Sequence, residues 1–181
     1  MSGADGWVLV TGNVNKWREA ERILGFAIER VELELDELQA ESVSAVALGK
    51  AEAAFRKLGR KVIVEDAGVE LIGLGGFPGP FIKYWEKLGG LSSICRAADG
   101  LGERGVRAVC ALGICAGAGA EVVTGVALGS IALEPRGTNG FGWDAIFIPE
   151  GETRTFGEMA PAEKDAHSHR RKAWELLRER L

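Results

Sequence analysis

The chain is short of the residues that make stapled, metal-built or membrane-embedded proteins. Its 181 residues include three cysteines and two histidines. Cys95, Cys110 and Cys115 are odd in number, form no Cys-x-x-Cys pair and sit in apolar surroundings. They read as buried, reduced thiols, not as a disulfide framework. His167 and His169 lie in one short segment and are too few to build a zinc site alone. No apolar run approaches the ~20 residues that cross a bilayer. Residues 1–6 are small and polar, without a basic stretch leading into an apolar one, so no signal peptide is expected and the expected location is the cytoplasm. Positive charge is also scarce: 22 Lys and Arg stand against 26 Asp and Glu, a net charge of −4. A general nucleic-acid binder needs a basic surplus to neutralise phosphates, so that class is disfavoured. A local group of Lys and Arg would still suffice for one small anionic ligand.

What is present describes an ordinary globular chain, with 46% apolar residues and a mean hydropathy of +0.04. Residues 1–181 fit one domain, or one domain with two lobes. The pattern predicts a strand over 7–11, a turn at Gly12-Asn13, and a helix over 15–24 with Trp17, Ala20 and Leu24 on one face. Val31, Leu33 and Leu35 alternate with acids and predict a half-buried strand. Ser42 or Ser44 is placed to cap the next helix, which Gly59 closes. Strands are expected over 62–64 and 69–74, a loop over 75–80, and helices over 81–88 and 91–98. A hairpin of two long strands is expected over 106–115 and 122–133, then a Gly-rich loop over 135–142 and a short strand over 144–148. A helix starts near 162–165, and the last one covers 168–181 with Trp174, Leu177 and Leu181 inward. Helices separate the early strands and a hairpin joins the later ones, so a mixed sheet flanked by helices is the expected α/β core.

Five segments can carry chemistry. Thr11-Gly12-Asn13-Val14-Asn15-Lys16 follows a strand and opens a helix, whose first N–H groups and positive dipole end favour an anion. It lacks the spacing of a Walker loop and also fits a plain strand-to-helix turn. Glu65-Asp66 ends a β-branched strand, where adjacent buried acids resist desolvation and a Mg²⁺ ion would give them a reason; a solvated strand end reads equally well. Glu37 sits among many acids and nothing local selects it. Gly137 to Asp144 interleaves Phe141 and Trp143 with glycines, so a flat base could stack there and Asp144 could accept from its edge; alternatively the aromatics cap the core. Lys164 and Ser168-His169-Arg170-Arg171-Lys172 gather donors near a helix start, suited to an electron-rich ligand or to a solvated basic face. Together these provide for the phosphate, the metal and the base of a nucleotide.

Ordered blocks from Trp7 onward carry a resemblance: VTGNVNKWREAERIL, VIVEDAGVEL, GLGGFPGPFIKYW, GTNGFGWDAIFIPEG, TFGEMAPAEKD and SHRRKA. In these the chain resembles the inosine/xanthosine triphosphate pyrophosphatases, the Ham1-like enzymes acting on non-standard purine triphosphates. The resemblance implies an elongated mixed α/β fold of two lobes with a central active-site cleft, usually a homodimer. It implies Mg²⁺-dependent hydrolysis of ITP, dITP and XTP to the monophosphate and pyrophosphate, cleansing the nucleotide pool. By position, Thr11, Gly12, Asn13, Val14, Asn15 and Lys16 would hold the triphosphate. Glu37 and Asp66 would bind the metal, and Asp66 would be the proton acceptor. Lys50 and Lys83 would contact phosphates or position the substrate. Phe141, Gly142, Trp143, Asp144, Lys164, His169 and Arg170 would form the base pocket. Ala67 stands at a substrate-contacting position where Ser or Thr is common, so one hydroxyl contact is missing. Ala40 and Ala145 replace a usual Gly and Pro.

The implied reaction is attack of water on the α-phosphorus. His169 and Arg170 would donate to a 6-oxo group, and the 6-amino group of ATP would face donors with a donor. The rivals are a nucleotide-binding module without turnover, a pyrophosphatase for modified pyrimidine triphosphates, and a nucleic-acid binder.

Overall fold

In a computed structural model, residues 6–36 and 38–181 are described. Strand β1 (Trp7–Val10) leads into helix α1 (Val14–Leu24) and strand β2 (Glu29–Val31). Helix α2 (Val43–Leu58), strand β3 (Lys61–Leu71), a short strand β4 (Pro78–Gly79) and helices α3 (Ile82–Gly89) and α4 (Leu91–Leu101) follow. Strands β5 (Gly105–Cys115) and β6 (Ala120–Ile131) precede β7 (Phe147–Pro149), and helices α5 (Pro161–His167) and α6 (His169–Arg178) close the chain. The sheet is mixed, in the order β2-β1-β3-β5-β6-β7 with β4 paired to β3. β1 pairs parallel with β2 and β3, as the intervening helices require, whereas β3–β4 and β6–β7 are antiparallel.

The early helices start and stop on local signals. Asn13 caps α1, its side chain accepting from the Asn15 and Lys16 N–H groups at 2.9 and 3.2 Å. Ser42, rather than Ser44, caps α2 by accepting from Ala45 N at 3.2 Å. Gly25 and Gly59 end these helices in the left-handed region, where a side chain would strain the backbone.

The chain divides into two compact units. The first comprises the described residues up to Asp66, Cys110–Gly125 and Arg170–Leu181; the second comprises Ala67–Val109 and Val126–His169. Strands β3, β5 and β6 run through both. In the first unit, Leu9, Ile63, Leu112, Trp174 and Leu177 cluster on one side, and Val8, Val10, Ala51, Ala54 and Val64 make a second cluster. Leu181, expected inward with Trp174 and Leu177, is half-buried. The second unit has its own core around Ile82, Ile94, Phe147 and Phe156.

Three expectations are corrected. The alternating segment forms β2 only as far as Val31, because its partner β1 ends at Val10, which pairs with Val31. Leu33 and Leu35 still pack against the core without a ladder. The two strands expected on either side of Glu65-Asp66 are one strand of eleven residues, β3. Residues 142–145 form a single 3₁₀ turn before β7, rather than the start of a strand. All three cysteines are free and buried, as expected.

Candidate functional site

In the first unit, β3 carries Glu65 and Asp66 at adjacent positions, and adjacent strand residues point to opposite faces. The two carboxylates, each under a tenth exposed, therefore do not converge on one point. Each meets its own cation. Lys50, from α2, donates to Asp66 Oδ1 at 2.9 Å. Glu65 receives Arg170, from α6: Nε lies 3.0 Å from both Glu65 oxygens and Nη2 lies 3.0 Å from Oε1. Arg170 Nη1 also pairs with Glu19 of α1, itself buried. Lys16 adds a fourth charge, its Nζ 3.4 Å from Glu65 Oε1 and 3.4 Å from the Glu65 carbonyl. Pairing at this density is what permits carboxylates in an interior position. Burial first, then the Glu65 carboxylate, pushes the Cys110 thiol well above its ordinary pKa, so this sulfur is inert beside the charges.

The loop before α1 is folded onto itself. Thr11 Oγ1 accepts from Asn13 N–H at 3.1 Å, and the Asn13 carbonyl oxygen of the side chain is committed to the helix cap. The N–H groups of Asn15 and Lys16 are thus already satisfied. An anion at this helix start would rely on the Lys16 ammonium and on other backbone groups of the loop. Gly12 lies against Glu32, whose Oε1 would be 3.4 Å from an added Cβ.

In the second unit, the glycine-rich loop is held by its own polar groups. Asp144 Oδ2 accepts from Phe141 N–H at 2.8 Å and from Lys164 Nζ at 2.7 Å. This ion pair is almost wholly buried. Lys164 also stands over the Phe141 and Phe156 rings, 4.9 and 5.6 Å from their centroids. Asn139 donates from Nδ2 to Met159 O at 3.0 Å. Gly140 has φ +75°, and a Cβ there would stand 2.0 Å from Asp144 Oδ2, so no other residue leaves this carboxylate in place. Trp143 is 9% exposed and belongs to the core, with ring contacts to Phe147 at 5.6 Å and His169 at 5.1 Å. The Phe156 and His169 rings lie parallel to within 12°, their centroids 6.4 Å apart. The more accessible ring of the loop is Phe141, which is half-buried.

The sequence-derived candidates therefore fall in two groups. Thr11 to Lys16, Lys50, Asp66 and Arg170 belong to the first unit; Ala67, Lys83, Phe141 to Asp144, Lys164 and His169 belong to the second. Lys83 is exposed, its Nζ 4.8 Å from the Tyr84 ring centroid, and Ala67 is half-buried on β3. Glu37 lies outside the described residues. Arg170, read from sequence as a base donor, is committed in this structure to Glu65 and Glu19. Glu19 carries no local signal of its place, because Arg18 and Arg22 beside it are exposed. Nor does Glu86 on α3, half-buried beside Gly142: a Cβ on that glycine would be 3.6 Å from Glu86 Oε2. Burial, reinforced by the Asp144 charge, raises the Glu86 carboxyl above its ordinary pKa.

Residues 7–180 match the sequence profile of the Ham1 family. The chain belongs to the Ham1 family. Among its relatives, a dITP/XTP pyrophosphatase of Methanopyrus kandleri is 42% identical over 176 residues, spanning 95% of this chain and 94% of the relative. An inosine triphosphate pyrophosphatase of Yarrowia lipolytica is 38% identical, covering 94% and 93% of the two chains. The Ham1 fold is shared with a HAM1 protein of Coxiella burnetii at a TM-score of 0.84 and 27% identity, over 96% of each chain. A nucleoside-triphosphatase, or dITP/XTP pyrophosphatase, of Mycobacterium abscessus superposes with a TM-score of 0.74 at 32% identity, over 94% of this chain and 98% of that one.

Proposed function

We propose that this Ham1-family chain is a nucleoside-triphosphate pyrophosphatase that hydrolyses ITP, dITP and XTP to the monophosphate and pyrophosphate. The observation that carries the reading is the pairing of an acid with a lysine in each unit: Asp66 with Lys50, and Asp144 with Lys164. These belong to a family whose full-length relatives bear pyrophosphatase names. The 181 residues act as one functional domain. Thr11 to Lys16, Lys50 and Lys83 are assigned to the triphosphate, and Phe141 to Asp144, Lys164 and His169 to the base.

The donors near Asp66 can be tested against the metal such chemistry implies. Asp66 offers a hard carboxylate oxygen, and among the described residues no cluster of three or more His, Cys, Asp or Glu stands together. That set does not suit a cage-binding ion. It fits Mg²⁺, which takes one or two carboxylates and completes its shell with phosphate oxygens and water. Asp66 would hold it, joined by Glu37. When bound, Mg²⁺ supplies neutralisation of phosphate charge.

The chain's own groups do the rest. Lys50 fixes one oxygen of Asp66 and leaves its carboxylate oriented to accept a proton from the attacking water. Lys16 and Lys50 bring positive charge to the α–β bridge and the departing pyrophosphate, and Lys83 to the outer phosphates. Phe141 presents a ring face to the base. His169 and Lys164 supply donors toward a 6-oxo group, and the mismatch with a 6-amino group is worth about 1–3 kcal/mol. Arg170 has a positional part, holding Glu65 and Glu19. Ala67 contributes no hydroxyl. A homodimer in the cytoplasm, acting on a small-molecule substrate without nucleic acid or membrane, completes the reading. Among the described residues no helix is long and apolar enough to cross a membrane.

The test is product analysis with Mg²⁺ and ITP, XTP, GTP, ATP and dTTP offered separately. Monophosphate and pyrophosphate from ITP and XTP are expected, with ATP and dTTP spared. Orthophosphate with diphosphate would place the cut at the wrong bond and end this mechanism. Binding of ITP without turnover would make the chain a nucleotide-binding module.

A further inference from the structure

The buried charges of the first unit form a series that ends at the loop assigned to the triphosphate. Glu19 of α1 meets Arg170 of α6, Arg170 takes both oxygens of Glu65, and Glu65 meets Lys16. The first three side chains are under a tenth exposed, whereas Lys16 keeps 19% of its side chain in solvent. Lys16 stands in the first turn of α1, where no acid accompanies it and the helix dipole opposes a positive charge. A lysine so placed ordinarily extends its stem and leaves the ammonium in water. Here Nζ turns inward and meets a single residue twice, at 3.4 Å from Glu65 Oε1 and 3.4 Å from the Glu65 carbonyl oxygen. An ammonium has three N–H donors. Glu65 directs two of them, which leaves the third for an oxygen of a ligand.

We propose that Glu65 is a positioning residue for Lys16, holding its ammonium where the remaining N–H meets the departing pyrophosphate. This rests on the assignment of Thr11 to Lys16 to the triphosphate. Glu65 touches no reacting atom and acts only through the lysine. Its carboxylate is itself held, because Arg170 Nε lies 3.0 Å from both oxygens. The two acids and two cations of the series sum to zero charge, so what the group offers a phosphate is direction and not net charge. A donor fixed beforehand needs no reorganisation when charge develops on the leaving group, and a flexible lysine stem otherwise has much rotamer freedom to lose. The adjacent acids of β3 thus divide the work between the two faces of the strand: Asp66 accepts the proton, and Glu65 aims a cation.

The experiment measures kcat/KM for ITP and inhibition by inorganic pyrophosphate in the wild type, Glu65→Gln, Lys16→Met and the double variant, each below its melting temperature. The Gln amide has one acceptor oxygen, which the closer partner Arg170 takes, so its NH₂ faces the Lys16 ammonium donor to donor. In Glu65→Gln, kcat/KM should fall about 10–100-fold, the scale of misplacing a group by about an ångström. Inhibition by pyrophosphate should weaken about tenfold, the scale of one hydrogen bond to a charged group. In the Lys16→Met background the same change should alter kcat/KM by less than about twofold, the scatter between independent sites, because the group it acts through is gone. A loss as large as in the wild-type background would overturn the proposal, since Glu65 would then act through Arg170 or the fold. Unchanged pyrophosphate inhibition in Glu65→Gln would overturn it too. So would tighter inhibition, because removing a negative charge would then outweigh losing direction. Should Glu65→Gln not fold, Glu65→Asp keeps a charge for Arg170 while its shorter stem withdraws the oxygen from Lys16, and the same cycle with the same outcomes applies. Failure of the wild type to release pyrophosphate from ITP would remove the underlying assignment as well, a result readily told apart from a changed cycle in an active enzyme.

Discussion

Replacing Arg170 by Met tests whether the buried charge cluster of the first unit is a structural clamp. Met keeps good helix propensity and an unbranched stem, so α6 itself should persist. What disappears is a guanidinium with Nε 3.0 Å from both Glu65 oxygens and a further contact to Glu19. Two carboxylates, both under a tenth exposed, lose their principal partner. Removing one member of a buried pair typically destabilises by about 3–5 kcal/mol. Lys16, 3.4 Å from Glu65 Oε1, remains and compensates in part, which sets the expectation at about 3 kcal/mol, the low end of that range. For a chain of this size the melting temperature should drop by roughly 6–12 °C. Urea denaturation and thermal melts measure both quantities. Neutralising the orphaned acids with Glu19→Gln and Glu65→Gln in the same background should restore part of the loss, because an uncharged amide is less costly to bury. A loss under about 1 kcal/mol, the range of a solvent-exposed pair, would refute the clamp. If the ITP/ATP preference fell at the same time with stability intact, Arg170 would instead be a direct base contact.

Gly113 on β5 faces α2 so closely that a Cβ would stand 2.3 Å from the Ala47 carbonyl oxygen and 3.0 Å from a Val64 methyl. Gly113→Ala should therefore destabilise by about 3 kcal/mol or more, at or above the upper range for overpacking, and a urea midpoint matching the wild type would disprove the close approach. Asp66→Asn removes the proposed proton acceptor, and pyrophosphate release from ITP should fall by roughly 10²–10⁴-fold. Activity within about tenfold of the wild type would return the role of base to another group. The raised pKa of Glu86 predicts a pH-dependent stability. The folded state holds this proton more tightly than the unfolded one, so its contribution is full below the ordinary carboxylate range and is lost as pH rises through the folded value. Glu86→Gln should thus melt higher than the wild type at neutral pH relative to its difference at pH 4, and a difference constant across that range would contradict the shift.

Features that depend on neighbours along the chain were legible without the fold. Asn13 and Gly25 bound α1, and Ser42 and Gly59 bound α2, because a cap is a contact spanning only a few residues. The burial of the cysteines and of Trp174 and Leu177 was legible from apolar surroundings and helical spacing. The ordered motifs placed the chain among Ham1 relatives and selected Asp66, Lys50, Asp144 and Lys164 as candidates.

Tertiary structure alone decided how those groups are used. Nothing local shows that β3 continues through Glu65-Asp66, since two adjacent acids look like a strand end. Their burial is permitted by cations from elsewhere, Arg170 lying 105 residues away. The alternation at Val31, Leu33 and Leu35 predicted a strand whose ladder stops where β1 stops, because hydrogen bonding in a sheet requires a partner. Trp143 could have stacked on a base or filled a core by sequence; packing against Phe147 and His169 put it in the core. Glu19 lies between Arg18 and Arg22 and Glu86 between Lys83 and Lys87, as surface acids commonly do, and only the fold turns one toward Arg170 and the other toward Gly142. Contacts over long sequence distances, whether the pairing of Glu19 with Arg170 or the approach of Glu86 to Gly142, leave no periodic trace, and that is why these groups emerge from the folded chain and not from its pattern.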